Sequence, residues 1–468
     1  MTKPKTKILV LLTDGVSLRN FAYTNFYKYG EQNNFDIVFW NNTSFNLNDL
    51  GINQIELSNS RLHKYTTILK NVRKRIELNC YKKRFNDPIY LKYSFSLPFN
   101  GLKNSFKSLI TKLLIFLFNS EKGLQLVRNQ INKLESSTAY YQSCIALLES
   151  YKPDVVYCTS QRSALAIAPI LAAKSLQIPT IGFIYSWDNL PKATVDVQTD
   201  FYHVWSKYMK NELLKYQPFV VDNQVQVTGT PQFEPHFKAN NIVSKNTFYK
   251  HHDLNLNITY LCYSGDDVTT SPKDPLYLRD VALALRLLNL KGYNLGLIFR
   301  RCPVDVSKRY DVVIKEFNDI ITPIAPIWKK EGHVWNTIFP TVQDSKLLAT
   351  LAAHTAIVIN LGSSMVFDYA IHKKPCMYMN YNYFNAEEKP EKGVYVYNYV
   401  HFRSKPSEEA VVWLNNPEEI AIKIENLLKA PERTIKAAQD WFNVINHELP
   451  ENASNRILQN ISKLLIKH

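Results

Sequence analysis

The sequence predicts an α/β protein with two doubly wound parallel sheets followed by C-terminal helices. Short apolar runs of strand length alternate with helical segments in the N-terminal half, and the same alternation starts again near residue 257. Strands that are apolar on both faces are typical of parallel sheets covered by helices on both sides. A polar stretch rich in Asn, Lys and His, 238–256, separates the two series. We therefore predict two domains of the same class in sequence.

The N-terminal half contains one clear strand–helix–strand unit. Its strands are predicted at 153–158 and 179–185, and the helix between them at 163–177. The other elements of this half are predicted strands at 7–12, 35–40 and 201–205, a closing extended stretch at 225–237, and helices between about 123 and 150. The segment 60–125 has the least regular pattern of the chain.

The C-terminal half repeats the alternation over five strands. Strands are predicted at 257–265, 294–301, 333–339, 355–360 and 375–380, and helices at 273–292, 307–318, 343–353 and 363–373. Three helices are expected to end the chain, at about 417–428, 433–447 and 453–466. The predicted domains are 1–240 and 241–440, with a final helical segment at 441–468.

Composition limits the class of protein. The net charge is +15, and the segment 61–122 carries 14 Lys and Arg against three acidic residues, so most of the excess forms one local basic patch. Six widely spaced cysteines without a Cys-x-x-Cys pair argue against a zinc site or disulfide framework and fit a reducing compartment. The apolar run 8–12 is too short for a signal peptide, and no stretch reaches the roughly 18 apolar residues of a membrane span. We expect a cytoplasmic protein, soluble or peripheral to the inner face of the cell membrane.

The residues that follow each strand are the candidates for ligand binding, because ligands of open parallel sheets bind beyond the carboxyl ends of the strands. In NLGSSMVFDYAIHKKP, 360–375, the residues Gly362, Ser363 and Ser364 lie between a strand and a helix. A glycine allows close backbone approach, and the first amides of a helix attract phosphate. Asp368, about one turn later, is a candidate for binding ribose hydroxyls. Alternatively, Ser363 only caps the helix and Asp368 is a solvated first-turn acid.

Further polar residues follow the neighbouring strands. Arg300 and Arg301 leave a strand in IFRRCP, and an arginine there is unfavourable unless it meets an anion such as phosphate. Alternatively, one of the two extends into solvent. Ser264 and Gly265 of YSGDD form a second phosphate-loop candidate or an ordinary turn, and Thr341 follows another predicted strand.

These motifs together resemble a known family. A Gly-Thr-Pro hinge, 229–231, an Arg-x-Pro after a strand, and FPTVQDSKLLATLAAHTAIVINLGSSMVFDYAIHKKP, in this order, look like the nucleotide-sugar half of GT-B glycosyltransferases. The stretch SSMVFDYAIHKKP is also similar to polyol-phosphate transferases of the CDP-glycerol type, and YSWDNLPKA, 185–193, resembles a segment of cell-surface glycan glycosyltransferases. The resemblance is best over 225–385 and weakest over 41–150.

The resemblance implies two Rossmann-like domains facing a cleft, with the nucleotide-sugar donor on the second domain, the acceptor on the first, and the final helix crossing back. It implies that the donor diphosphate is held by Gly362, Ser363, Ser364 and one of Arg300 or Arg301. It places Asp368 at the ribose, where the family commonly has a glutamate. No Asp-x-Asp triplet occurs in the sequence. We therefore expect no metal or other cofactor, with arginine and backbone amides stabilising the leaving diphosphate.

An inverting transfer needs a base on the first domain to accept the proton of the acceptor hydroxyl. The candidates are Asp14, which follows the first strand, and Asp188 of SWDNL, and the sequence leaves the choice open. Alternatively, Asp14 only caps its loop. Trp187 either offers a flat surface for a sugar ring or belongs to the core. The remaining acceptor-binding candidates are Arg19, Asn20, Gln161, Arg162 and Asn189.

The basic segment 61–122 has three interpretations. LKNSFKSLITKLLIFLF, 102–118, places Lys103, Lys107 and Lys112 among apolar residues, a pattern that can lie on an anionic membrane surface. Such a surface would suit a lipid-linked or lipopolysaccharide acceptor. Alternatively, 102–118 is a helix packed in the domain with its lysines solvated. In the third interpretation the basic patch binds nucleic acid. The sequence contains no nucleic-acid-binding motif, so we do not expect a nucleic-acid partner.

The sequence thus predicts a glycosyltransferase that moves a sugar from a nucleotide-sugar donor to a hydroxyl of a cell-surface glycan or lipid-linked acceptor. Polysaccharide or lipopolysaccharide biosynthesis is the expected setting. Three alternatives remain open. They are a polyol-phosphate transferase with a CDP donor, a sugar-nucleotide epimerase, which needs several acids and a histidine in one site, and a catalytically inactive membrane-associated partner.

Overall fold

The computed structural model describes residues 4–57, 60–330, 338–383 and 394–466. The chain divides into two compact units. Unit 1 comprises Met1–Pro231, Tyr399–His401 and Asn452–His468, and unit 2 comprises Gln232–Asn398 and Phe402–Glu451. Each unit contains one large sheet whose strands are all parallel, so the predicted pair of doubly wound sheets is confirmed.

Unit 1 contains a seven-stranded sheet. Its strands are β1 (Thr6–Leu12), β2 (Phe35–Asn41), β3 (Gln54–Ile55), β4 (Val155–Cys158), β5 (Thr180–Phe183), β6 (Phe201–Val204) and β7 (Val225–Val227). They lie side by side in the order β3-β2-β1-β4-β5-β6-β7, and every neighbouring pair is parallel. The order of the strands reverses between β1 and β4. The loops after these two strands therefore flank the switch point at which doubly wound sheets bind ligands.

The helices of unit 1 include several that the sequence pattern did not predict. The first eight helices are α1 (Gly15–Ser17), α2 (Phe26–Gln32), α3 (Thr66–Phe85), α4 (Leu102–Phe118), α5 (Glu121–Glu135), α6 (Ala139–Tyr151), α7 (Ile167–Ser175) and α8 (Lys207–Tyr216). The segment 60–125 is therefore mostly helical, in α3 and α4. On α3 the buried apolar residues Val72, Ile76 and Cys80 recur every four positions, but many basic residues lie between them and obscure that period.

Unit 2 contains a six-stranded parallel sheet in the order β10-β9-β8-β13-β14-β15 and a separate antiparallel pair, β11-β12. Its elements are α9 (Lys245–His251), β8 (Thr259–Ser264), α10 (Asp274–Leu290), β9 (Leu295–Arg300), α11 (Asp311–Glu316), β10 (Ile321–Pro323), β11 (Trp328–Lys330), β12 (Ile338–Pro340), α12 (Val342–His354), β13 (Val358–Asn360), α13 (Met365–Ile371), β14 (Cys376–Met379), β15 (Val412–Leu414), α14 (Ile420–Lys429) and α15 (Glu432–Ile445). The strand predicted at 333–339 begins outside the described residues. Its described end belongs to β12, which pairs with β11 and not with the main sheet.

The last helix, α16 (Ala453–Ile466), belongs to unit 1 and packs against α2. Arg456 anchors it by donating from Nε to the carbonyl of Thr228 at 2.8 Å. Within the described ranges, no helix combines the length and the apolar character needed to cross a bilayer.

Candidate functional site

The carboxyl ends of three adjacent strands of unit 2 carry the donor candidates. Ser264 and Arg300 end the paired strands β8 and β9, and the amide of Gly265 donates to the carbonyl of Arg300 at 2.9 Å. Gly362 follows β13, which lies on the other side of β8. The fold therefore brings together strand-end residues that lie almost 100 positions apart in the sequence.

Arg300 is buried, and part of its guanidinium is hydrogen-bonded to protein. Its side chain is 5% exposed, and its Nη2 donates to both carboxylate oxygens of Asp344 at 3.0 Å. Asp344 also accepts from the amide of Ile327 at 2.8 Å and from Nε1 of Trp328 at 2.7 Å, so it holds the guanidinium in a fixed position. The Nη1 of Arg300 is buried and has no hydrogen-bond partner within the described ranges. Nη2 of the guanidinium is thus positioned by protein, and Nη1 lacks an acceptor atom among the described residues.

Arg301 and Thr341 have local partners instead. Arg301 donates from Nη1 to the carbonyl of Ser307 at 2.8 Å, and its Nη2 lies 3.6 Å from Asp311. Thr341 caps α12: its hydroxyl accepts from the amide of Asp344 at 3.1 Å. Sequence reasoning missed Asp344, although a threonine followed three residues later by an acid is a recognisable helix-start pattern.

The loop at Gly362 is packed rather than open. Its φ is +72°, and an added Cβ would lie 3.3 Å from the rings of Tyr397 and Phe402. The absent side chain thus leaves room for aromatic rings at this position. The Ser363 hydroxyl accepts from the amide of Met365 at 3.3 Å and so satisfies the first amide of α13, whereas Ser364 occupies the N-cap position and is exposed.

Asp368 faces a histidine. Its Oδ1 accepts from Nε2 of His236 at 2.8 Å, and Nδ1 of His236 lies 3.0 Å from Nε2 of His372. Asp368 is buried, so it is not the solvated acid of the alternative interpretation. Burial and the neighbouring His236 lower the pKa of His372 to about 4, so His372 is neutral near pH 7. No local sequence pattern indicates this pairing, because His236 and Asp368 are separated by 132 positions.

In unit 1 the acceptor and base candidates converge on Tyr185. The charges of Asp14, Arg162, Arg19 and Asp188 all act on its hydroxyl, and burial is the largest cause that raises the pKa of Tyr185 to about 12. The guanidinium of Arg162 lies 5.3 Å from the centre of the Tyr185 ring. Four charged residues from three separate loops thus lie around one side chain.

Gln161 connects these loops. Its Oε1 accepts from the amide of Tyr185 at 3.0 Å, and its Nε2 donates to Oδ1 of Asn189 at 3.1 Å. Asn189 in turn donates to Oδ1 of Asp188 at 3.0 Å. The loop after β4 and the Trp-Asp-Asn segment after β5 are therefore one hydrogen-bonded unit.

Asp188 is held as a carboxylate. It accepts from Ser186 Oγ at 2.7 Å and from Asn189, and it forms an ion pair with Lys192. Burial works to raise the pKa of Asp188, but the Lys192 ammonium and the hydrogen bonds to the carboxylate together outweigh it and hold this pKa well below the usual range. A carboxylate with so low a pKa is a weak base.

Asp14 has fewer partners than Asp188. Its Oδ1 accepts from the amide of Ser17 at 2.8 Å and caps α1, as the alternative interpretation states, and the side chain is only half-buried. The loops after β1 and β4 also contain buried polar atoms that have no hydrogen-bond partner in the described part of the chain, namely Thr13 Oγ1, Ser17 Oγ, Asn20 Nδ2 and Ser160 Oγ. Buried polar groups without partners are rare in proteins. Their concentration at the switch point marks a place where a ligand or ordered water would fit.

Trp187 is buried and packs against His401. Their ring centres are 5.0 Å apart in an edge-on arrangement, and Nδ1 of His401 lies 3.1 Å from the hydroxyl of Tyr93. Burial lowers the pKa of His401 to about 3, so the ring is neutral at physiological pH. Trp187 therefore has the core role given above as its alternative. In the described part of the chain, no group of three or more His, Cys, Asp and Glu is placed to hold a metal ion.

Comparisons with known proteins identify the fold. No protein-family model and no curated protein matches the sequence. A Listeria monocytogenes protein provisionally named as a UDP-N-acetylglucosamine 2-epimerase is 11% identical, with a TM-score of 0.57 over 99% of this chain and 98% of its own. A glycosyltransferase from Rickettsia africae ESF-5 is 14% identical, with a TM-score of 0.53 over 100% of both chains. The chain has the GT-B fold.

A third GT-B match is MnaA of S. aureus, whose structure was solved with UDP. It is 12% identical, with a TM-score of 0.52 over 98% of this chain and 97% of its own. The fold is therefore shared with enzymes that act on nucleotide sugars. At these identities the likeness establishes the fold alone, and the reaction has to be argued from the residues.

Proposed function

We propose that this protein is a glycosyltransferase that moves a sugar from a nucleotide-sugar donor to a hydroxyl of a cell-surface glycan or lipid-linked acceptor. The observation that carries the proposal is the state of Arg300, which Asp344 fixes at the strand ends of unit 2 while Nη1 stays without a partner among the described residues. A buried guanidinium with one open side is suited to bind a diphosphate oxygen. The R. africae neighbour is a named glycosyltransferase, so the fold is compatible with this reaction.

In the proposed donor site, Arg300 Nη1 and the backbone amides of Gly362 and Ser364 stabilise the diphosphate as it leaves. Developing negative charge is stabilised best by donors that are already oriented, and both Arg300 and the strand-end amides are fixed by the fold. Asp368 contributes its second carboxylate oxygen to the ribose hydroxyls, while His236 holds the first. We expect the reaction to need no metal, since the sequence contains no Asp-x-Asp triplet.

On the acceptor side we favour Asp14 as the base over Asp188. The ion pair with Lys192 stabilises Asp188 as an ionised, weakly basic carboxylate, whereas Asp14 uses one oxygen for a backbone amide and forms no ion pair among the described residues. Asp188 then has a positioning role: through Asn189 and Gln161 it fixes the loops around Tyr185.

Calorimetric titration with UDP-, GDP-, CMP- and CDP-linked donors, followed by turnover assays with a lipid extract, tests the proposal. Arg300→Lys keeps a cation beside Asp344 but removes the planar guanidinium with its separate N–H donors. Donor affinity should therefore fall about 10-fold. Asp14→Asn should lower kcat strongly and keep donor affinity. Arg286→Lys, an exposed arginine paired with Asp319, is the matched control and should behave as wild type.

Three results would contradict the proposal. If no nucleotide binds, the protein is the inactive partner considered above. If a UDP-sugar is converted to its epimer without any acceptor, as NMR would detect, the protein is an epimerase. If a CDP-polyol is the only donor consumed, it is a polyol-phosphate transferase.

The acceptor is proposed to lie at an anionic membrane surface that α4 binds. Six large apolar residues of this helix, spaced three, four or one apart, are exposed: Leu102, Phe106, Leu109, Leu113, Phe116 and Leu117. The polar Ser108 and Thr111 are buried on the opposite side. The exposed lysines of α4, Lys103, Lys107 and Lys112, give this apolar stripe the charge that complements anionic lipid. The same geometry supports a protein peripheral to the inner leaflet.

A further inference from the structure

Lys74 on α3 is a cation without a counterion. Its side chain is partly buried, and it makes no hydrogen bond or ion pair with any described residue. One turn earlier, Lys70 donates to the carbonyl of Arg162 at 3.0 Å and lies 2.9 Å from Asp196. Residues four apart share one face of a helix. Lys74 therefore projects from the face of α3 that lies along the strand-end loop carrying Arg162.

The surroundings of Lys74 are positively charged. Burial is the largest cause that lowers the pKa of Lys74 to about 8, and the charges of Arg73, Lys192 and Arg162 lower it further, whereas Asp196 opposes them. These cations come from three different parts of the chain: α3, the loop after β4, and the turn after the Trp-Asp-Asn segment. Hydrogen bonds place both loops against α3, since Lys70 donates to the carbonyl of Arg162 and Arg73 donates to the carbonyl of Ala193, each at 3.0 Å.

The carboxylates near this face already have partners. Asp196 is shared by Lys70 and Arg73, at 2.9 and 2.7 Å, and Asp188 pairs with Lys192. A partly buried cluster with more cations than carboxylates is unfavourable, because like charges repel and burial removes the water that would screen them. An anion bound among these side chains would offset this repulsion.

We propose that Lys74, Arg162 and Lys192 form an anion subsite for a phosphate or pyrophosphate group of the acceptor. Gln161 adjoins Arg162 in the sequence, and Asp188 pairs with Lys192, so the subsite continues directly into the acceptor residues around Tyr185. Lysine and arginine together bind phosphate by charge and by directed hydrogen bonds. That the bound phosphate belongs to an acceptor rests on the proposed function, whereas the anion subsite itself rests only on these side chains.

Calorimetric titration of the full chain with inorganic pyrophosphate, in the presence of saturating UDP to occupy the donor site, tests the subsite. Lys74→Gln should weaken pyrophosphate binding about 10- to 100-fold, because one charged hydrogen-bond donor is lost. UDP affinity, measured separately, should not change. Lys83→Gln, an exposed lysine later on the same helix, is the matched control and should keep both affinities. Circular dichroism checks that the variants are folded.

Unchanged pyrophosphate affinity in Lys74→Gln overturns the subsite. An equal loss of UDP affinity also overturns it, because the cluster would then serve the donor. A wild-type protein that binds pyrophosphate at Lys74 but binds no nucleotide supports the subsite and contradicts the proposed function, so the two failures are distinguishable. Parallel titrations with a short-chain prenyl diphosphate and a sugar 1-phosphate separate the two sources of this anion, since tighter binding of the former indicates a lipid-linked acceptor and tighter binding of the latter a phosphorylated glycan.

Discussion

The neighbouring helices α3 and α4 belong to one basic segment, yet α3 buries charged side chains and α4 exposes apolar ones. α3 buries charge: Arg73 is 2% and Glu77 is 1% exposed. α4 buries Ser108 and exposes leucine and phenylalanine, with Leu102 at 93%. The difference teaches that residue type alone does not decide burial. A charge is buried where the fold supplies partners, and a large apolar residue stays exposed where no other element of the unit covers it.

The buried charges on α3 belong to a network of hydrogen bonds and ion pairs. Glu77 accepts from Arg73, from Arg128 at 2.9 Å, from the hydroxyl of Tyr81 at 2.7 Å and from Gln217 at 2.8 Å. Burial works to raise the pKa of Glu77, but the two arginines outweigh it and hold the pKa below its usual value. The network connects α3 to α5 and α8, so it joins elements of unit 1 that are distant in sequence.

The largest expected effect comes from removing this buried acid. Glu77→Ala leaves two buried arginines with fewer partners and should lower the free energy of unfolding by about 3 to 5 kcal/mol. Chemical denaturation measures it. The control is Glu121→Ala, which removes an exposed partner of Arg84 and should cost at most about 1 kcal/mol. Equal effects of the two variants would mean that burial of the α3 network adds no stability.

A buried acid without such partners provides a second comparison with Glu77. Glu212 on α8 makes no ion pair among the described residues, and its Oε2 has no hydrogen-bond partner there. Burial raises the pKa of Glu212 from 4.5 to about 8. Below pH 4.5 the folded and unfolded chains both hold this proton. Between about pH 4.5 and 8 only the unfolded chain releases it, so this group makes the folded state less stable as pH rises.

Glu212→Gln removes that pH dependence. The stability gained by the variant over wild type should grow by about 2 to 4 kcal/mol from pH 4.5 to pH 8 and then level off. Denaturation curves at a series of pH values measure the difference. A constant difference across this range would show that Glu212 is ionised in the folded protein, and the expected contrast with Glu77 would disappear.

Substitutions in the exposed apolar stripe of α4 should have the smallest effect on stability and a larger effect on membrane binding. Leu113→Ser with Phe116→Ser should change the free energy of unfolding by less than about 1 kcal/mol, because both residues are exposed. The same double variant should weaken sedimentation with phosphatidylglycerol-containing liposomes about 10- to 100-fold, because two apolar insertions are lost.

The matched control for α4 is Leu287→Ser with Leu290→Ser, two exposed leucines of α10 in unit 2. This variant should bind the liposomes as wild type does. Retained binding by the α4 variant would remove the membrane proposal. A wild-type dimer that becomes a monomer in the α4 variant, measured by light scattering, would instead assign the stripe to self-association.

The strands were predictable because their signal is local. A continuous apolar run flanked by polar residues identified β8 within 257–265 and β14 within 375–380, and the structure places them at Thr259–Ser264 and Cys376–Met379. The end of each apolar run also locates the end of its strand, so strand-end residues could be selected as candidate site residues. Helix α3 was missed, because basic residues between its buried positions hide the period that would have revealed it.

The sequence by itself determined two doubly wound sheets and the polar residues that end their strands, since apolar pattern and strand-end position depend on near neighbours. Only the tertiary structure decided what those residues contact. Asp344 holds Arg300 across 44 positions and His236 holds Asp368 across 132. The cations around Lys74 and the uncovered face of α4 were decided in the same way. Such pairings depend on how the elements pack, because a hydrogen bond or an ion pair is set by distance in space and not by separation along the chain.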